Sequence, residues 1–183
     1  NGFVMSAFVS RLLTLVVLCT GLAAGAAQAL TVTDVENRTV EIKDNPQRIV
    51  VGNYILNFLM VGGAESLSRV VALPQDGWEG MRKGEYTVLT KAFPEIKKLP
   101  SIGGYHDDIL NTEKIIALKP DVLLVGRTQY ASNDKRIAVL ARAGIPTIVL
   151  DYHAMTVENH TLSTEILGKL LDRTETADKL NAR

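Results

Sequence analysis

The chain has 183 residues, with 20 Lys plus Arg against 20 Asp plus Glu, so its formal net charge is zero. That balance argues against a basic nucleic-acid binder, which needs surplus cations to displace counterions from phosphates. A hydrophobic content of 46% argues against disorder, and the single Cys excludes a disulfide-stapled mini-protein.

The chain opens with a targeting pattern. Arg11 is followed by the uncharged run Leu12 to Ala27 and then by the small-x-small site Ala27-Gln28-Ala29. This is the layout of a cleaved secretory signal peptide over residues 1–29, with Leu30 as the first mature residue. Bulky Leu18 before Cys19 does not suit a lipoprotein site, so Cys19 is expected to leave with the signal.

Beyond residue 30, strand and helix patterns alternate. Thr31–Val35 and Thr39–Ile42 are β-prone runs around Glu36-Asn37-Arg38, which predicts a hairpin. Arg48–Gly52, Val70–Leu73, Asp121–Val125 and Pro146–Leu150 are short apolar runs suited to parallel strands buried on both faces. Helical patterns separate them. They run over Ile55–Leu67, interrupted by Gly62-Gly63; over Thr112–Leu118, stopped by Pro120; and over Ser132–Ala143, ended by Gly144. The stretch from Trp78 to Pro100 is polar and reads as a helix plus a loop. Leu162, Ile166 and Leu170 form one apolar stripe that predicts a long helix over Thr156–Arg173, with a break at Asp172-Arg173-Thr174 and Thr174 capping a continuation through Ala177 and Leu180. Such alternation implies an α/β sheet with right-handed crossovers.

In an open α/β sheet, ligands sit beyond the carboxyl ends of the strands. The residues expected there include Tyr54, Trp78, Tyr105, Arg127, Tyr130 and Tyr152, an aromatic and hydrogen-bonding set suited to a bulky polar ligand. Catalytic motifs are missing: there is no G-x-G-x-x-G, P-loop or G-x-S-x-G elbow. His106 and His153 fall at strand ends and, with Asp107 or Asp151, offer an alternative metal-ion site should they converge.

Several segments together carry a family resemblance: Asn37-Arg38-Thr39-Val40 with Pro46-Gln47-Arg48-Ile49-Val50; Pro100-Ser101-Ile102-Gly103; Asn111 through Val122, with its Glu113-Lys114-Ile115 and Leu118-Lys119-Pro120-Asp121; and Ala143-Gly144-Ile145-Pro146. In this order they resemble the first lobe of the periplasmic solute-binding proteins of iron–siderophore, haem and cobalamin ABC importers. The resemblance implies a Rossmann-like α/β lobe over residues 30–155, with a parallel central sheet flanked by helices. Residues 156–183 would begin a long interdomain helix, and the second lobe would be absent from this chain. It also implies a periplasmic, monomeric binding protein that is not an enzyme and has no resident cofactor. Its cargo would be a ferric chelate, haem or corrinoid, and its partners a membrane permease and that permease's ATPase. At the position matching Glu113, the family carries an acidic residue that docks on the permease. The alternative is a secreted α/β Zn or Mn binder, or an enzyme, using the His106 and His153 loops.

Overall fold

The computed structural model describes residues 29–80, 82–104, 109–154 and 156–183. Residues 1–28 of the expected signal peptide, Tyr105, His106 and Asp107 lie outside the described residues.

Strands β1 (Ala29–Thr33) and β2 (Thr39–Lys43) pair antiparallel, with Val32 and Ile42 turned inward. The central sheet holds β3 (Ile49–Val51), β4 (Val70–Ala72), β5 (Val122–Gly126) and β6 (Thr147–Leu150) in the order β4-β3-β5-β6, every pair parallel. Alternate residues feed two cores, as the period of two along a strand requires. Val51, Leu124 and Ile148 face one core; Val50, Leu123, Val125 and Val149 face the other.

Helix α1 (Ile55–Gly62) brings Phe58 and Val61 to the first core. It stops at Gly63, whose φ of 77° suits a residue without a Cβ. A 3₁₀ turn, Ala64–Arg69, then leads to β4. Two helices follow, α2 (Gln75–Gly80) and α3 (Lys83–Ala92), with a further 3₁₀ turn at Pro94–Lys98. The stretch expected to be one helix and a loop is therefore mostly helical. It is held down by the Gln75 side chain, whose Nε2 donates to the carbonyls of Ile96 and Leu99.

Helix α4 (Thr112–Leu118) matches its expected bounds. Asn111 caps it by accepting the Lys114 N–H at 2.9 Å, and Lys119 ends it in the left-handed region before Pro120. After β5 comes a helix the sequence did not announce, α5 (Arg127–Ser132), followed by α6 (Asp134–Arg142). Between them, buried Asn133 accepts the Leu110 N–H and donates to the Gln129 carbonyl.

The C-terminal helical segment breaks where the sequence predicts, at Asp172-Arg173-Thr174. Helix α7 (Val157–Leu170) ends, Asp172 turns the chain at φ 56°, and α8 (Thr174–Asn181) folds back along α7. The α8 N-cap is Arg173, not Thr174. Near the other end of the pair, Asn181 Nδ2 donates to the Thr161 carbonyl. Gly168 permits this approach, because a Cβ there would lie 2.6 Å from the Ala177 Cβ. Alanine normally favours a helix interior over glycine by about 1 kcal/mol. Here Gly168→Ala should instead destabilise by roughly 1–3 kcal/mol through overpacking. Urea unfolding would show it, and Ala177→Gly in the same chain should relieve part of the loss.

Candidate functional site

The chain leaves β3 for β4 on one side, then crosses back over β3 to β5 on the other. The switch point therefore lies between the carboxyl ends of β3 and β5, where open α/β sheets bind ligands. A cleft of about 240 Å³ opens at this end, lined among others by Tyr54, Trp78, Arg82, Tyr152, His153 and His160. A hollow of about 410 Å³ beside Gln47, Arg69 and Arg173 lies at the opposite, amino-terminal end of the strands.

Tyr54 precedes α1 in the left-handed region, at φ 63° and ψ 37°. A bulky aromatic residue is strained there, and such strain clusters at functional sites. Its N–H donates to Asn53 Oδ1 at 2.9 Å. Gly126, at the end of β5, leaves room for the ring, since a Cβ there would come within 3.2 Å of the Tyr54 hydroxyl. The rings form a row of edge-on contacts. Tyr54 lies 5.1 Å from His153 and 5.2 Å from Tyr152, and Tyr152 lies 5.5 Å from His160. Buried Trp78, from α2, supports this lining, and the Arg82 guanidinium sits 5.6 Å from its ring centroid.

Burial raises both phenols, and Tyr152 is pushed up to about 12 although its hydroxyl contacts Thr164 Oγ1 at 3.1 Å. The neutral phenol is thus the form the fold favours. An unfolded tyrosine ionises from about pH 10. The Tyr152 contribution to stability is therefore complete below pH 10 and lost as pH rises toward 12, by at most roughly 3 kcal/mol. Thermal unfolding at pH 9 and pH 11.5 should show this fall, and Tyr152→Phe should flatten it.

Asp151 lies under the row. Burial pushes its carboxyl up, but the N–H groups of Ala154 and His153, the Asn159 amide and the Arg127 charge outweigh that, and it sits below the usual value.

The structure thus brings together Tyr54, Trp78, Tyr152 and His153 from the expected set. Arg127 begins α5 at the expected strand end, but its Nε donates to Glu36 Oε1 at 2.5 Å and Nη1 stands 3.7 Å from Asp151 Oδ2. The cleft lining takes its cation from Arg82 instead. Tyr130 is a correction. As part of α5 it points to the hairpin, where its hydroxyl accepts from Arg38 Nη1 at 3.0 Å and its ring lies 4.3 Å below that guanidinium. Tyr130 packs on the core opposite the one that Tyr54 and Tyr152 join. Sequence reasoning missed Arg82, which lies in the irregular polar stretch, and His160. The signal for His160 was present: a helix that follows β6 must begin at the strand's carboxyl end.

Among the described residues, no cluster of three or more His, Cys, Asp or Glu side chains is arranged to hold a metal ion. An open parallel sheet with an aromatic cleft at the carboxyl ends of its strands defines an α/β lobe with a candidate ligand cleft. No protein-family model and no curated protein sequence matches the chain. Solved structures do. The TroA-like periplasmic binding protein FepB from Veillonella parvula is 28% identical with a TM-score of 0.77, over 84% of this chain and 45% of that one. The molybdate periplasmic binding protein MolA of a Haemophilus influenzae ABC transporter is 19% identical with a TM-score of 0.67, over 83% and 49%. The petrobactin-binding protein YclQ from Bacillus subtilis is 21% identical with a TM-score of 0.62, over 85% and 49%. The chain has the fold of one lobe of the TroA-like periplasmic binding proteins, the family its segments resemble, and spans under half the length of these neighbours. The neighbours are binding proteins, not enzymes.

Proposed function

We propose that this lobe supplies half of the ligand cleft of a periplasmic solute-binding protein of an ABC importer, and that its cargo is a metal chelate: a ferric siderophore, haem or a corrinoid. The observation that carries this reading is the ring row Tyr54–Tyr152–His160 with Trp78, at the switch point of a lobe 28% identical to FepB. Flat aromatic faces beside an arginine suit a large, polarisable, anionic ligand better than a bare ion. Arg127 stands outside this lining, and would add a bidentate contact for carboxylate or catecholate oxygens by leaving Glu36. Trp78 is the single tryptophan of the chain, so the cleft carries its own fluorescent reporter. Saturable quenching by one member of a panel of ferric siderophores, haemin and cobalamin, with no response to zinc, supports the chelate. A response to zinc alone selects the metal-ion alternative, which draws on His153 in the lining and on His106 outside the described residues.

The partners in this proposal are a permease and its ATPase, with the binding protein acting as a monomer. Glu113 is exposed in the first turn of α4. Because α4 feeds the amino end of β5, its own start lies toward the cleft side of the sheet, where a docking acid is needed. An acid in a first helical turn is also favoured by the macrodipole, by about 0.3–1 kcal/mol. Glu113→Gln should leave chelate binding unchanged and lower uptake through the permease at limiting ligand. Normal uptake would leave Glu113 with the helix-start role only.

A further inference from the structure

One carboxylate just outside the cleft lining ties together elements that carry it. Asp151 directly follows β6 and is 4% exposed. Its Oδ1 accepts the N–H groups of His153 at 3.0 Å and Ala154 at 2.9 Å. Its Oδ2 accepts from Asn159 Nδ2, on α7, at 3.0 Å and faces Arg127 Nη1, on α5, at 3.7 Å. Arg127 is held in turn by Glu36 in the turn of the hairpin. The Asp151 N–H donates to Ser163 Oγ at 2.8 Å, a second tie to α7.

These bonds fix the segment that places the Tyr152 and His153 rings against Tyr54. Capping two backbone N–H groups needs only one acceptor, which Asn or Ser supplies without burying a charge. The second carboxylate oxygen is used elsewhere, in linking the loop to α7 and α5. We infer that Asp151 is the positioning residue of the cleft: its carboxylate sets the spacing of the ring row by tying the Tyr152–Ala154 loop to α7, while Arg127 and Glu36 steady it from outside. The inference rests on the ring row being the ligand face.

Asp151→Asn tests it. The amide keeps an acceptor for the two N–H groups, but it removes the charge that faces Arg127 and presents an NH₂ where Asn159 Nδ2 donated, so Asn159 must turn its amide over to keep a contact. Asn159→Asp in the same chain restores the donor–acceptor pair in reverse. The chain has three histidines, so imidazole proton NMR is simple to read. In Asp151→Asn, the shift that the Tyr54 ring imposes on the His153 imidazole should collapse while far-UV circular dichroism stays the same. The swap should recover half of it or more. Haemin and ferric tris-catecholate, followed through Trp78 fluorescence, should bind Asp151→Asn about tenfold more weakly, with recovery in the swap. Three results would overturn the inference: an unmoved His153 signal in Asp151→Asn, a swap no better than the single variant, or unchanged probe affinity despite a displaced His153. Should wild type bind neither probe, the chelate reading fails, and the His153 signal still decides the role of Asp151. If Asp151→Asn does not fold, Asn159→Ala removes the α7 link alone and should move His153 in the same direction by less.

Discussion

Asp34→Ala should cost the fold roughly 3–5 kcal/mol, the scale for stripping one partner from a buried ion pair. Asp34 is fully buried at the end of the first hairpin strand. Its Oδ1 accepts the N–H groups of Glu36 at 3.0 Å and Arg38 at 3.1 Å. Its Oδ2 accepts the Val149 N–H of β6 at 3.1 Å and two guanidinium donors of Arg38, at 3.1 Å and 2.5 Å. Alanine would leave that N–H and a half-buried guanidinium without their acceptor. Arg38 would keep only the Tyr130 hydroxyl and the Thr147 carbonyl. The urea midpoint should fall with the slope unchanged, as expected for lost stability without a change in the surface exposed on unfolding. A loss under about 1 kcal/mol would mean that the hairpin contributes little to the lobe's stability. Asp34→Ala should also free Glu36 from its turn, and with it the outer hold on Arg127.

That network shows where sequence reading reached its limit. The strands were legible because β3, β5 and β6 are apolar runs bounded by Pro and Gly, and a strand buried on both faces has little else to encode. Helix α4 was legible from Asn111 and Pro120, whose capping and stopping act within a few residues. By contrast α5 has six residues, too few to show a helical period, so Arg127 and Tyr130 read as loop. Once they are helical, their directions diverge: Arg127 goes to Glu36 and Tyr130 to Arg38, partners 91 and 92 residues away. No local pattern records such pairings.

The cleft divides along the same line. Tyr54, Trp78 and Tyr152 were foreseeable because the ends of parallel strands must face a common edge. Asp151 lay in view as a possible metal ligand, but its use as a clamp depends on Asn159 lying in the first turn of α7 and on Arg127 arriving from α5. The break between α7 and α8 is written locally in Asp172-Arg173-Thr174, but the folding back of α8 depends on contact across the pair. The apolar stripe through Leu162, Ile166 and Leu170 is real, yet the Gly168 notch that admits Ala177 makes the segment a folded pair.

Tyr54→Gly should separate binding from stability. The ring is half-buried, so its removal costs less than the roughly 3–5 kcal/mol of a fully buried aromatic. Against that loss, glycine relieves a left-handed backbone that costs a non-glycine residue about 1–2 kcal/mol. The net change in unfolding free energy should therefore stay near 1 kcal/mol. Binding has no such offset. Tyr54 is the ring that touches both His153 and Tyr152, so its loss opens the row at its centre. A hot-spot loss of about 2 kcal/mol corresponds to roughly thirtyfold weaker binding of the chelate that quenches Trp78. Tyr54→Asn, which tolerates the same backbone region, should lose affinity equally without the gain in backbone freedom. Comparing the two by urea unfolding and by Trp78 titration distinguishes a ring retained for the ligand from one retained for the fold. If both variants bind as wild type does, the strain at Tyr54 serves the entry into α1 and the cleft does not depend on it.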